Sequence, residues 1–392
     1  MGKNKLLLIF FRAPYPLLSG GQIRMYQNLR ILSKHFDIDL LFLTDGPVEN
    51  STIKELSKYT KDLHWYTFKK SQYYLNTLRG LFTSDPLQTN YFYSRKVQKW
   101  IDRNIKKYPY VFCHTIRTTK YVQKHSNTIK IVDFVDAISM NYEKAYQKKN
   151  FGLWKLLYYI DKNRLKRYEE KILNEFDKSI IISNVDKEYI LSENSKKSIK
   201  VVPNCIFPDI VKNNYTIPEK HKICFIGKMD YEPNQTAVFY FINKILPHVV
   251  KKNPTIKFEV VGVQPTEQIK NLSVHNNINV TGYVEDIERE IKESKIIVAP
   301  MVSGAGIQNK ILQSMYLKKC VVTTTLGAEG LINVTNNEII VEDNPSAFAE
   351  KINYYLANKD LRDSIGINAK EYIKKTFSEE KVEQLLKEYL ID

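Results

Sequence analysis

The sequence predicts an α/β protein of two doubly wound, Rossmann-like domains. Three observations predict it. Short apolar runs alternate with helical patterns along the whole chain, as parallel sheets covered by helices require. At 392 residues the chain is too long for one ordinary core and suits two of roughly 200 residues each. Residues 299–331, APMVSGAGIQNKILQSMYLKKCVVTTTLGAEGL, read as strand, glycine turn, helix and strand, one right-handed βαβ unit.

In chain order, the first half gives strands at 6–11, 38–43, 64–68, 110–114, 129–135, 179–182 and 200–202, with helices in the intervals, the longest near 152–176. Pro14 and Pro16 stop the first strand. Ser19, Gly20 and Gly21 then open a helix carrying Ile23, Arg24, Tyr26, Leu29 and Leu32. The two glycines allow close backbone approach at a helix N-terminus, where free N–H groups favour an anion. His114 ends the strand YVFCH, a place that suits acid–base or hydrogen-bonding work, and Arg117 follows in the same loop. Asp133 and Asp136 lie at the end of the next strand, VDFVDAIS. Residues 206–220, with Pro208 and Pro218 and no apolar period, read as a linker.

The second half opens with KICFIGKM, a strand ending at Gly227 and Lys228. Asn234 is expected to cap a helix running to about Val250. Strands at 257–261 and 278–282 follow, the latter leading into Tyr283, Val284 and the expected helix cap Asp286. The βαβ unit comes next. Its turn, Ser303 to Gly306, stands at the carboxyl end of a strand, where open α/β sheets bind ligands. Ile307, Ile311, Leu312 and Met315 are helically spaced to about Leu317, and Lys310, one turn in, can reach back over the N-terminus. That is a phosphate site with its own cation, although a plain βα connection would use the same glycines. A strand at 338–341 and helices near 345–357, 359–375 and 379–390 complete the chain. The expected divisions are 1–205, a linker 206–220, 221–375, and a C-terminal helix 376–392.

Composition narrows the setting. Cys113, Cys205, Cys224 and Cys320 are scattered without C-x-x-C spacing, so they read as buried free thiols in a reducing compartment. No metal cluster is visible. The six apolar residues before Arg12 are too few for a signal peptide, and no run approaches 18, so a cytoplasmic protein is expected. Charge is uneven: residues 1–205 hold 36 Lys and Arg against 19 Asp and Glu, while the rest is balanced. Basic and aromatic residues mix at 91–110 and 144–171, which suggests docking on the anionic inner face of the plasma membrane. A solvated basic face would look the same. The high pI also suits nucleic acid, but no helix-turn-helix or aromatic RNP motif supports it.

The string SGAGIQNKILQSM…CVVTTTLGAEGL closely resembles the nucleotide-sugar site of GT-B glycosyltransferases of family 4: a glycine turn, (R/I)-x-x-K-(V/I)-L-E-(A/S)-M, P-V-V-(S/T)-T and G-x-E-G. P-Y-P-x-x-x-G-G-x-x-R at 14–24, V-P-N-C at 202–205 (usually V-P-N-G), G-K at 227–228, Y-x-P-N at 231–234 and G-Y-V-x-D at 282–286 match further family patterns. The resemblance implies transfer of a hexosyl group, with retention and without a metal or other cofactor, from a UDP- or GDP-linked sugar. It implies donor contacts from Gly20, Gly21, Gly227, Lys228, Tyr283, Val284, Gly304, Ala305, Gly306, Ile307, Lys310 and Gln313. Catalytic roles fall to His114, Lys228 and Lys310. Arg24, Arg117, Asp133 and Asp136 become acceptor-side candidates, Asp133 and Asp136 equally readable as structural. The acceptor would be a lipid-linked or other oligosaccharide of capsule, O-antigen or exopolysaccharide synthesis, and the last helix would cross back onto the first domain. The family's two glutamates fall at Ala305 and Gln313, neither acidic, so the ribose contact loses its charge assistance. A non-catalytic GT-B relative binding a nucleotide sugar or a partner, and a nucleotide-sugar 2-epimerase, remain open alternatives.

Overall fold

The computed structural model describes residues 2–148, 153–192, 195–207, 217–304 and 306–391. The chain divides into two compact units. The first holds Met1–Pro203 with Glu383–Asp392, and the second holds Asn204–Val382.

The first unit is built on β1 (Asn4–Phe10), β2 (Phe36–Thr44), β3 (Asp62–Thr67), β4 (Tyr110–His114), β5 (Ile129–Asp133), β6 (Lys178–Ile181) and β7 (Lys200–Val201). They form one sheet in the order β3-β2-β1-β4-β5-β6-β7, and every pair is parallel. The last five residues of β1 are buried without alternation, because a central parallel strand is covered on both faces. The helix Gly20–Ser33 follows β1, and Ser19 Oγ caps it by accepting from the Gln22 N–H. The end of the final helix, Glu379–Leu390, packs on this unit. Glu383 pairs with Lys34 at 2.6 Å and His35 at 2.8 Å, and the Ser179 N–H donates to the Tyr389 hydroxyl at 3.2 Å.

The second unit holds β8 (Lys222–Ile226), β9 (Lys257–Val261), β10 (Ile278–Gly282), β11 (Ile296–Ala299), β12 (Cys320–Thr323) and β13 (Ile340–Val341). The order is β10-β9-β8-β11-β12-β13, again all parallel. Successive residues of β8 feed opposite faces. Ile223 and Phe225 join a cluster with Phe241, Phe258 and Phe348; Cys224 and Ile226 join one with Leu312, Met315 and Phe377. All four cysteines are buried free thiols.

Two expected helices differ in detail. The one expected to run from Asn234 to about Val250 begins at Glu232 and opens into a π turn, Phe241–Ile245, before resuming as Leu246–Lys252. Pro247 is the cause, since it has no N–H for Asn243 and its ring crowds that carbonyl. The helix expected from Ile307 begins at Asn309, because Gly306 is left-handed (φ 73°) and Gln308 is extended. Of the expected linker, residues 208–216 lie outside the described residues.

Candidate functional site

In the second sheet the strand order turns between β8 and β11, the place where doubly wound folds open a crevice at their carboxyl ends. Packing there brings backbone against backbone. A Cβ on Gly227 would lie 2.5 Å from Asn234 Nδ2, and one on Gly262 would lie 1.8 Å from the Gly227 oxygen. Gly304 and Gly306 adopt φ of 106° and 73°, which glycine alone takes without strain. Ala305 between them lies outside the described residues. A Cβ on Gly330 would come within 2.6 Å of Ile307 Cα, so the glycine closing the A-E-G tail seats the backbone of the turn.

Lys310 is the second residue of the helix Asn309–Tyr316, not one turn in. Its ammonium donates to Asn234 Oδ1, lies 3.7 Å from Met301 Sδ and sits 4.3 Å from the Phe225 ring centroid. Among the described residues no carboxylate pairs with it, and burial pushes its pKa down to about 7. Asn234 does not cap its helix. Tyr231 holds the cap position, and Asn234 Nδ2 donates to the Lys228 carbonyl at 2.8 Å, so one amide joins the β8 end to Lys310. Lys228 is partly exposed and paired with Asp230 at 2.9 Å. Gln313 is partly exposed, and its amide makes no hydrogen bond among the described residues. Tyr283 is 71% exposed, Val284 packs on the apolar cluster, and Asp286 caps the helix Ile287–Glu293 by accepting from the Arg289 N–H. Ser303 Oγ and Glu329 Oε2 are buried without partners. The role of Asn234 was hidden from sequence reasoning, whereas Glu329 stands openly in the A-E-G tail.

In the first sheet the turn of order lies between β1 and β4. Gly20 and Gly21 open the 14-residue helix after β1, and a Cβ on Gly21 would meet nothing within 4 Å. Arg24 and Asp133, acceptor-side candidates by sequence, are both fully buried and joined to each other. Arg24 Nε donates to Asp133 Oδ2 at 2.7 Å, its Nη1 donates to the Pro203 carbonyl at 2.9 Å, and Asn28 Nδ2 donates to Asp133 at 2.7 Å. Burial pushes the Asp133 carboxyl up, but Arg24 and the hydrogen bonds outweigh it and hold it below the usual range. The pair's charge is spent inside the unit. For Asp133 this is the structural one of its two readings, and the Arg24 charge meets it there.

His114 is 1% exposed, and burial pushes its pKa down to about 3, so its imidazole is neutral at neutral pH. It touches Phe10 edge-on and stacks on Phe11, and neither ring nitrogen has a hydrogen-bond partner. The next residue, Thr115, has φ 61°, and Val135, two residues past β5, has φ 68°, strained positions for β-branched side chains. Arg117 donates Nε to Gln88 Oε1 at 2.7 Å. Burial and the charge of Asp186 push the Asp136 carboxyl up to about 6, against the pull of Arg117 and Asn141. Among the described residues no three His, Cys, Asp or Glu side chains are grouped to hold a metal ion.

Residues 220–358 match the family model described as Glycosyl transferases group 1. An uncharacterized 44.6 kDa protein in the cps region of Klebsiella pneumoniae is 25% identical over 96% of this chain and 97% of its own. TarM of S. aureus, solved with UDP among its ligands, superposes with a TM-score of 0.70 at 12% identity, over 99% of this chain and 100% of its own. Alr3699/HepE of Anabaena, in complex with UDP, gives 0.67 at 13% identity, over 98% and 99%. The chain has the GT-B fold of these glycosyltransferases. The segment matched by the family model contains Gly227, Lys228, residues 303–306 and Lys310. Among the described residues no helix is long and apolar enough to cross a membrane.

Proposed function

We propose that this chain is a retaining, metal-independent glycosyltransferase of family 4. It moves a sugar from a UDP- or GDP-linked donor onto a lipid-linked or other oligosaccharide acceptor of surface-polysaccharide synthesis. The observation that carries the reading is Lys310, a desolvated ammonium without a carboxylate beside a glycine turn at the switch point. As the bond to the sugar breaks, negative charge gathers on the leaving diphosphate. A fixed cation and the N–H groups of the turn stabilise that charge most where water is scarce. Lys228, already facing Asp230, reaches the same crevice from the β8 end as a second point charge. Gln313 takes the ribose by neutral hydrogen bonds, and His114 faces the sugar as a neutral imidazole. Retention and family-4 membership rest on the motif pattern at 303–330, and the cps-region relative supports the polysaccharide setting. The test is a thermal-shift screen of UDP- and GDP-sugars with and without EDTA, followed by a transfer assay. One nucleotide sugar is expected to stabilise the protein and to be turned over in EDTA. Stabilisation without any transfer would make the chain a nucleotide-sugar-binding protein.

The reading includes peripheral attachment to an anionic membrane, but on a different face from the stretches named by sequence. At 91–110 the basic residues are exposed while the aromatics turn inward: Tyr91 stacks on Tyr73, Trp100 leans at a tilt on His64, and Tyr108 donates to buried Asp39. At 144–171, residues 149–152 lie outside the described residues. The helix Lys70–Gly80 and the turn after it instead expose Tyr74, Leu75, Leu78, Leu81 and Phe82, the last at 93%. These positions share one helical face. Lys69, Arg79 and Arg164 flank them, Arg164 donating to the Gly80 and Leu81 carbonyls. Apolar side chains ringed by cations match an anionic bilayer surface. Full-length protein is expected to float with anionic but not neutral liposomes at low salt. Leu78→Glu with Phe82→Glu is expected to abolish it, and unchanged flotation would reject this face.

A further inference from the structure

Around the Phe11 ring, at the carboxyl ends of β1 and β4, two guanidiniums collect. Arg12 Cζ lies 4.6 Å and Arg117 Cζ 4.7 Å from the ring centroid. Among the described residues neither forms an ion pair with a carboxylate. Asp45 and Asp136 act on them only at longer range, and desolvation beside the ring lowers both guanidinium pKa values, although Arg12 keeps much of its surface exposed. Arg12 also opposes the charge on Arg117. The third group on this ring is His114, stacked at 6.0 Å with both nitrogens unsatisfied; its nearest charged neighbour is Asp133 Oδ2, 3.8 Å from Nδ1. Two like charges and an unsatisfied imidazole gathered at one ring are an unfavourable arrangement for an empty site. Arg24, in the same unit, shows what a structural arginine looks like here, because Asp133 matches it. The strained φ of Thr115 falls beside His114.

From this we infer that the first unit carries a second anion subsite, formed by Arg12 and Arg117, that takes an oxyanion on the acceptor. Two sources offer that chemistry, a diphosphate joining a glycan to a lipid and the carboxylate of an acidic sugar. Each presents paired oxygens that a guanidinium fork binds in two places. The word acceptor rests on the glycosyltransferase reading; the anion subsite does not.

The experiment titrates inorganic pyrophosphate and glucuronate calorimetrically into full-length protein carrying Lys310→Ala, which weakens the nucleotide crevice. The same titrations are made after adding Arg12→Gln, Arg117→Gln or Arg117→Lys, with melting curves to verify folding. At least one probe is expected to bind, about tenfold more weakly in either Gln variant, with the Lys variant between. Pyrophosphate alone binding points to a lipid diphosphate, and glucuronate alone to an acidic sugar. Arg12 is exposed, so its variant tests the site even where Arg117→Gln fails to fold. Equal affinity in the parent and the folded variants, or no binding of either probe, overturns the subsite. UDP is titrated separately into wild type. If UDP fails to bind while the arginine variants still lose the probe, the donor reading falls and the anion subsite stands.

Discussion

Arg24 in the first unit and Lys310 in the second each sit in a helix that follows a central strand, at the point where the strand order turns. Arg24 is surrounded by its own counter-charge, with Asp133, Asn28 and the Pro203 carbonyl completing a closed network. Lys310 has an amide oxygen, a thioether and an aromatic ring, and no carboxylate among the described residues. A buried cation with a built-in partner is part of the fold. One that lacks a partner holds its place at some loss of stability until an anion arrives. Substitution should therefore act in opposite directions at the two sites.

The largest effect is expected at the closed network. Asp133→Ala leaves the Arg24 guanidinium buried and unpaired, and should lower unfolding free energy in urea by about 3–5 kcal/mol. Replacing both residues with apolar ones of similar volume should recover most of it. A loss below about 1 kcal/mol for the single change would show that Arg24 reaches solvent or a ligand. Next comes Lys310→Ala, expected to slow transfer about 100-fold, equivalent to about 3 kcal/mol, while leaving the melting temperature equal or higher. Near wild-type turnover would remove Lys310 from the diphosphate.

The open site should also respond to pH. The Lys310 pKa falls from 10.5 in the unfolded chain to about 7 in the fold. Between those values the unfolded chain binds more protons. The stability lost by burying the ammonium is therefore fully felt below pH 7, and is regained as pH rises toward 10.5. A diphosphate that needs the charged form must draw a proton in. UDP binding at pH 8 should take up a fraction of a proton, read by calorimetry in buffers of differing ionisation enthalpy. No uptake, with binding intact, would separate Lys310 from the ligand. The smallest effect is expected at Gln313→Glu, which should keep UDP affinity or tighten it a few-fold by restoring charge to the ribose contact. A large loss would show that the ribose lies elsewhere.

The central strands were legible because buried parallel strands are continuous apolar runs, as at the end of β1, and the bounds of YVFCH, KFEVV and INVTG match the sequence reading residue for residue. The glycine turn was legible because φ above zero demands glycine. What escaped was long-range partnership. Asn234 looks like a helix cap next to Pro233, and only the fold brings it to Lys310, 76 residues on. Asp133 reads as a strand-end acid until Arg24, 109 residues earlier, is packed against it. Arg12 drew no attention, since its meaning depends on Arg117 reaching the same ring. The aromatics at 91–110 looked like an interface because sequence does not tell which side of a short helix turns inward.

The ten residues Glu383–Asp392 belong to the first unit, through Lys34, His35 and Ser179. The ribosome makes them after the second unit. Domains emerging from it generally fold in the order of synthesis. Here most of the first unit precedes the second, but it lacks the helical segment from Glu383 onward until the whole second unit has been translated. The second unit is therefore the first that can be completed, and the chain's birth order and its order of completion run opposite ways.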